Sequence, residues 1–167
     1  MLFDRVLDEL NHVPCINAGG CGIAAYATYK WMRENHQLPS DFKFIFLYTC
    51  EDSDYKTNQA ALKSKRKIGS SADHVVLYAN GKYYDSKGEF DRVLNYSYQI
   101  VTDKPEFILR CINNVPKWNN DFKRQQVNNI AKSLKLDLSE IKINKTPEPK
   151  LNLVQKMAKN IWNKFAQ

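Results

Sequence analysis

The fold predicted from this sequence depends above all on one segment, His74-Val75-Val76-Leu77-Tyr78-Ala79-Asn80-Gly81-Lys82-Tyr83-Tyr84-Asp85. Two β-rich runs flank Asn80-Gly81, which is the strongest short-range signal for a hairpin with a two-residue loop. In that register Val76 pairs with Asp85, so His74 and Asp85 lie on one face, about 7–8 Å apart along a diagonal. A three-residue loop would shift the register by one residue and move Asp85 to the opposite face.

The chain before the hairpin predicts two helices and a buried strand. Apolar residues at helical spacing predict a helix that begins near Leu2 and ends at Val13-Pro14. After a Gly-rich turn over residues 15–20, an Ala-rich segment predicts a second helix from Cys21 to about His36. Residues 42–48 are apolar on both faces and predict a buried strand, whereas the polar residues 50–72 predict a loop.

After the hairpin, which we expect to close at Gly88, the sequence predicts one more strand and three helices. The strand covers residues 96–101, and helices follow from Pro105 to Cys111 and over residues 120–134. We expect a first domain over residues 1–143 and a Pro-containing linker over residues 144–150. The third helix, over residues 151–167, is amphipathic and basic.

Composition limits the classes of protein to consider. The chain has 167 residues, of which 43% are hydrophobic, so it can bury a core and is not a disordered protein. Neither a membrane span nor a secretory signal is recognisable, and the four cysteines form no CxxC pair. We therefore expect a cytoplasmic protein with free thiols and without a metal ion or cofactor. A metal site built from Cys15, Cys21, Cys50 and His74 has no supporting spacing.

Cys21 lies where a thiol can become reactive, because it follows Gly19-Gly20 and begins the second predicted helix. Unpaired N–H groups and the positive end of the helix dipole favour a thiolate at this position. A small apolar residue at a tight loop-to-helix junction would produce the same local pattern. The joint occurrence of Cys21 with a His74–Asp85 face on the hairpin favours the catalytic interpretation.

The segment Gly19-Gly20-Cys21-Gly22-Ile23-Ala24-Ala25, followed by the hairpin, resembles the papain-like superfamily of cysteine peptidases, amidases, transglutaminases and arylamine acetyltransferases. The resemblance covers about residues 14–90 and consists of a Cys at a helix start, a His on a strand and an Asp on the next strand. It implies a papain-like α+β fold, in which the N-terminal helix that bears the Cys packs on an antiparallel sheet, followed by a C-terminal helical region.

The resemblance also implies a mechanism of nucleophilic acyl transfer on a peptide, isopeptide or other amide. Cys21 would attack the carbonyl, His74 would take and return the proton, and Asp85 would orient His74. The segment departs from papain in lacking an aromatic residue after the Cys and a Gln upstream. Asn17 is the nearest amide, and with the Cys21 N–H it would form the oxyanion hole.

Other residues and other classes of function stay open at this stage. Cys15, Cys50 and Cys111 are expected to be buried structural thiols, and helix ends account for His12 and His36. The basic helix over residues 151–167 gives the alternative of a non-enzymatic protein that binds a partner protein. The net charge of +7 also permits binding to nucleic acid or to an anionic membrane, although no nucleic-acid motif supports it.

Overall fold

The structure is a computed structural model that describes residues 2–14, 16, 20–64, 72–114 and 120–143. The predicted linker over residues 144–150 and the predicted basic helix over residues 151–167 lie outside the described residues, and both stay predictions. The described helices and strands, in chain order, are α1 Leu2–Asn11, α2 Cys21–Glu34, β1 Lys43–Tyr48, α3 Ser53–Leu62, β2 His74–Ala79, β3 Lys82–Asp85, β4 Gly88–Glu89, the 3₁₀ helix Arg92–Asn95, β5 Tyr98–Thr102, α4 Pro105–Asn114 and α5 Asn120–Leu134.

The described strands form one antiparallel sheet in the order β4-β3-β2-β1-β5. Helices precede, interrupt and follow these strands, so the predicted α+β class is confirmed. Since β1 pairs with both β2 and β5, its backbone groups are satisfied on both edges. The sheet therefore places the start of β2 and the end of β3 at one end of the molecule.

The core explains why β1 is apolar on both faces, as predicted. Phe44 and Phe46 pack with α2, α4 and α5 in the main core on one face of the sheet. Ile45 and Leu47 alternate with them and pack with Val76 in a smaller cluster on the opposite face. Full burial of each of these side chains contributes about 1.5–3 kcal/mol, so both faces stabilise this strand.

The prediction of a loop over residues 50–72 is wrong for its first half, because helix α3 occupies Ser53–Leu62. Asp52 is the N-cap of the helix, and its carboxylate accepts a hydrogen bond of 2.7 Å from the Tyr55 N–H. The helix buries Tyr55, Asn58 and Ala61, which recur every three residues. This buried stripe is short and includes an asparagine, so hydrophobic periodicity does not reveal the helix.

The other differences concern the ends of elements. Gly88 does not close the hairpin, since Gly88–Glu89 returns as the short strand β4 beside β3. Helix α2 ends at Glu34 rather than His36, which adopts the left-handed region with φ 55° just beyond the helix end. Helix α5 has the predicted bounds.

Candidate active site

The hairpin between β2 and β3 has the predicted two-residue loop. Ala79 pairs with Lys82 across it, and Asn80 and Gly81 have φ of 52° and 78°. Positive φ at both positions is the signature of a type I′ turn, which Asn-Gly adopts at little cost. The register that puts Asp85 on the face of His74 is therefore present.

An additional carboxylate holds this turn from outside the hairpin. Asp41, which precedes β1, accepts hydrogen bonds of 2.9 Å from the Asn80 N–H and 3.0 Å from the Gly81 N–H. These bonds favour the charged carboxylate and lower the pKa of Asp41. The sequence analysis missed this contact, since a polar residue before a strand has no pattern that identifies its partner.

His74 and Asp85 form a hydrogen-bonded pair at the end of the sheet. The imidazole Nε2 lies 3.2 Å from Oδ2 of Asp85, and 8% and 11% of the two side chains are exposed. The other carboxylate oxygen of Asp85 accepts a hydrogen bond of 2.7 Å from the Lys87 N–H. Asp85 is thus held from both sides, and Nδ1 of His74 is left for another partner.

Cys21 is that partner. It is the first residue of α2, where Gly20 is the N-cap and the first helical hydrogen bond joins the Ala24 N–H to the Gly20 carbonyl. The Cys21 side chain is half-buried, lines a small cavity together with Asp85, and is near enough to the imidazole to raise the pKa of His74. All three side chains that the sequence analysis selected as a triad therefore lie together.

The electrostatics of this cluster favour a charged imidazole. Burial lowers the pKa of His74, but the hydrogen bonds and charges of Asp85 and Cys21 outweigh it and raise the pKa to about 9. Burial also raises the pKa of Asp85, and the bonds from His74 and from the Lys87 N–H more than offset this, so that the net shift is downward. The arrangement stabilises an imidazolium between the carboxylate of Asp85 and the sulfur of Cys21, which is the charge state that transfer of the thiol proton to His74 would produce.

An open groove of about 530 Å³ adjoins the pair and gives it access to a ligand. The ring of Phe90 covers one side of the imidazole, with its centroid 5.2 Å from that of His74. Such a ring excludes water from the His74–Asp85 hydrogen bond, which strengthens it. The sequence analysis did not identify the aromatic residues of this groove, because they lie in an irregular segment after β4. The groove is lined among others by Asp73, His74, Asp85, Phe90, Arg92 and Tyr96.

The remaining candidates are placed differently. Asn17 and Cys15 lie outside the described residues, so the oxyanion role predicted for Asn17 stays a prediction. Cys111 is buried as expected, and burial raises the pKa of its thiol to about 12. The expectation of a buried Cys50 is wrong, because this thiol follows the end of β1 and is exposed, with Asp52 Oδ2 at 3.8 Å.

In the described part of the chain, no group of three or more His, Cys, Asp and Glu side chains is arranged to hold a metal ion. No helix of the residues described is both long enough and apolar enough to cross a bilayer.

Comparison of the chain with protein-family models, with curated proteins and with solved structures gives no match.

Proposed function

We propose that the protein is a cysteine hydrolase or acyltransferase with a papain-like active site, acting on a peptide, isopeptide or other amide. The observation that carries the proposal is that His74 is hydrogen-bonded to Asp85 at one end of the sheet and adjoins Cys21, which lines a small cavity together with Asp85. The order of these residues, with Cys on a helix start and His and Asp on successive strands, supports the papain-like assignment.

In the proposed mechanism His74 accepts the proton of Cys21 through Nδ1, while Nε2 stays bonded to Asp85. The thiolate attacks the carbonyl carbon, and the positive end of helix α2 favours the negative charge that enters there. His74 then protonates the leaving amine, which releases it and leaves a thioester. Water or a second amine attacks the thioester, with His74 now acting as base.

A thiol-alkylation experiment tests the proposed nucleophile, since the chain contains its own reference thiols. Iodoacetamide is applied between pH 5 and 9, and the modified peptides are quantified by mass spectrometry. We expect Cys21 to react at pH 6 well before Cys50, although Cys50 is the more exposed thiol. Cys111 should react only after unfolding, because it is buried.

One variant completes the experiment. In His74→Ala the preference for Cys21 at pH 6 should disappear, whereas Cys50 should react as before. If Cys21 and Cys50 have the same pH dependence in the unmodified protein, the proposed nucleophile is wrong.

A further inference from the structure

Tyr96 is fixed next to the His74 strand by main-chain hydrogen bonds. It ends the 3₁₀ helix, and its N–H donates to the Val93 carbonyl at 3.2 Å. The following N–H, of Ser97, donates to the Tyr48 carbonyl at the end of β1 at 3.1 Å. Since the neighbouring Leu47 pairs with His74 in the β1–β2 ladder, Tyr96 and His74 flank the same end of β1.

The ring of Tyr96 is packed against its neighbours, whereas its hydroxyl is available to bind a ligand. Its ring is half-buried in the cluster on the outer face of the sheet, and the residue lines the groove together with His74 and Asp85. Among the described residues no hydrogen bond engages its hydroxyl, so this donor is free to bind a ligand.

The surroundings keep this hydroxyl protonated. Burial raises the pKa of the Tyr96 phenol, and the negative charge of Asp73 acts in the same direction. The charges of Cys21 and Asp85 act in the same direction, and Asp85 lines the same groove as Tyr96. A phenol in this position is a hydrogen-bond donor throughout the neutral pH range.

We propose that Tyr96 is a further catalytic residue, whose hydroxyl donates a hydrogen bond to the oxyanion formed when Cys21 attacks a carbonyl. This inference rests on the proposed function and extends it. As the bond from Sγ to the carbonyl carbon forms, the π electron pair moves to the oxygen, where the phenol binds it without transferring its proton. When that pair returns, the bond to the leaving group breaks, and the leaving group takes the proton held by His74.

Two small probes separate this role from that of the nucleophile. Iodoacetamide alkylates Cys21 by displacement and forms no oxyanion, whereas p-nitrophenyl acetate acylates it through a tetrahedral oxyanion. In Tyr96→Phe we expect the acylation rate to fall about 100-fold, which is typical of a lost oxyanion donor. The alkylation rate of Cys21 should stay the same, because the ring that packs beside the site is kept.

Tyr83→Phe is the matched control. Tyr83 belongs to the same outer cluster, and its ring lies 5.2 Å from that of Tyr78. Removal of its hydroxyl should change neither rate.

The outcomes distinguish the two proposals. Unchanged acylation in Tyr96→Phe, or an equal loss of acylation and alkylation, would overturn the role of Tyr96 and leave the nucleophile intact. If Cys21 of the unmodified protein reacts with neither probe faster than Cys50, the proposed function itself fails.

Discussion

His74 and Asp85 are joined by a 3.2 Å contact between Nε2 and Oδ2, although ten residues and a reversal of the chain separate them. The contact exists because the hairpin loop contains two residues, which places both side chains on one face of the sheet. Four of the five predictions below concern the turn, the pair and the helix start that bring Cys21 to it.

Replacement of Asp85 by Asn tests the contribution of the carboxylate charge. The variant keeps the shape of the side chain but removes the charge that favours imidazolium. We expect the pKa of His74 to fall from about 9, and acyl transfer from p-nitrophenyl acetate to decrease by about 100-fold or more. The pKa is measured by NMR titration of the imidazole. Asp91→Asn is the control, since Asp91 lines the same groove, and it should leave both quantities unchanged.

The free energy of unfolding should decrease at alkaline pH, because His74 loses its proton there. Its pKa is raised in the folded protein from 6.5 to about 9, so the folded state binds the proton more tightly than the unfolded state. The stabilisation from this group is fully present below about pH 6.5 and is lost as the pH rises through about 9. Urea unfolding at several pH values should therefore show that the unmodified protein and His74→Gln differ less and less in their free energy of unfolding as the pH rises over this range. A difference that does not change with pH would contradict the raised pKa.

Asp41→Ala should slow the acylation of Cys21, although Asp41 contacts the turn and not the His74–Asp85 pair. The substitution removes the acceptor of the Asn80 and Gly81 N–H groups, which leaves the turn held by the hairpin alone. Amide hydrogen exchange at both positions should become faster, and acylation of Cys21 should slow with it. Unchanged exchange at these amides would show that the strands alone fix the loop.

Gly20→Ala tests the close packing at the start of α2. A Cβ at Gly20 would lie 2.6 Å from both Nε2 of Gln126 and the Ile16 carbonyl oxygen, so the backbone must shift. We expect a loss of about 1–3 kcal/mol in the free energy of unfolding and slower alkylation of Cys21. Gly22→Ala is the control, because a Cβ there would meet only Ile112 Cγ1 at 3.5 Å. That variant should gain about 0.5–1 kcal/mol from the better helix former.

Ser86→Ala should stabilise the protein. The Ser86 hydroxyl is buried beside Cys21 and Asp85 and has no hydrogen-bond partner among the described residues. Its removal should therefore raise the free energy of unfolding by about 1 kcal/mol, as measured in urea. Thr28→Val removes a hydroxyl from the same cavity that does donate, to the Ala24 carbonyl at 2.9 Å, and should lower the free energy. A loss of stability in Ser86→Ala would contradict the burial of an unsatisfied group.

The sequence predicts the parts of this protein that depend on local chemistry. Asn80-Gly81 determines the turn, and through the two-residue period of a strand it determines the face of Asp85. Cys21 at a helix start is also a local feature. The first signal brings Asp85 to His74, and the second makes Cys21 a candidate nucleophile, whereas the packing of α2 on the sheet brings the thiol to the pair.

Contacts between distant segments could not be predicted in the same way. Asp41 reaches the turn, Phe90 reaches the imidazole and Tyr96 lines the groove beside it only because the sheet order places their segments side by side. The charge on His74 likewise depends on Asp85 and Cys21 outweighing the effect of burial, a balance that no sequence pattern gives. Helix α3 was missed because its stability comes from packing of Tyr55 on Tyr48 rather than from periodicity.

The turn at Asn80-Gly81 also has a consequence for how such a protein could lose its activity during evolution. One codon inserted there that shifted the register of β3 by one residue would turn Asp85 to the other side of the sheet, and it would also take Tyr84 away from the main core. Under the proposed function, such a descendant would keep every residue of the triad and lose their arrangement.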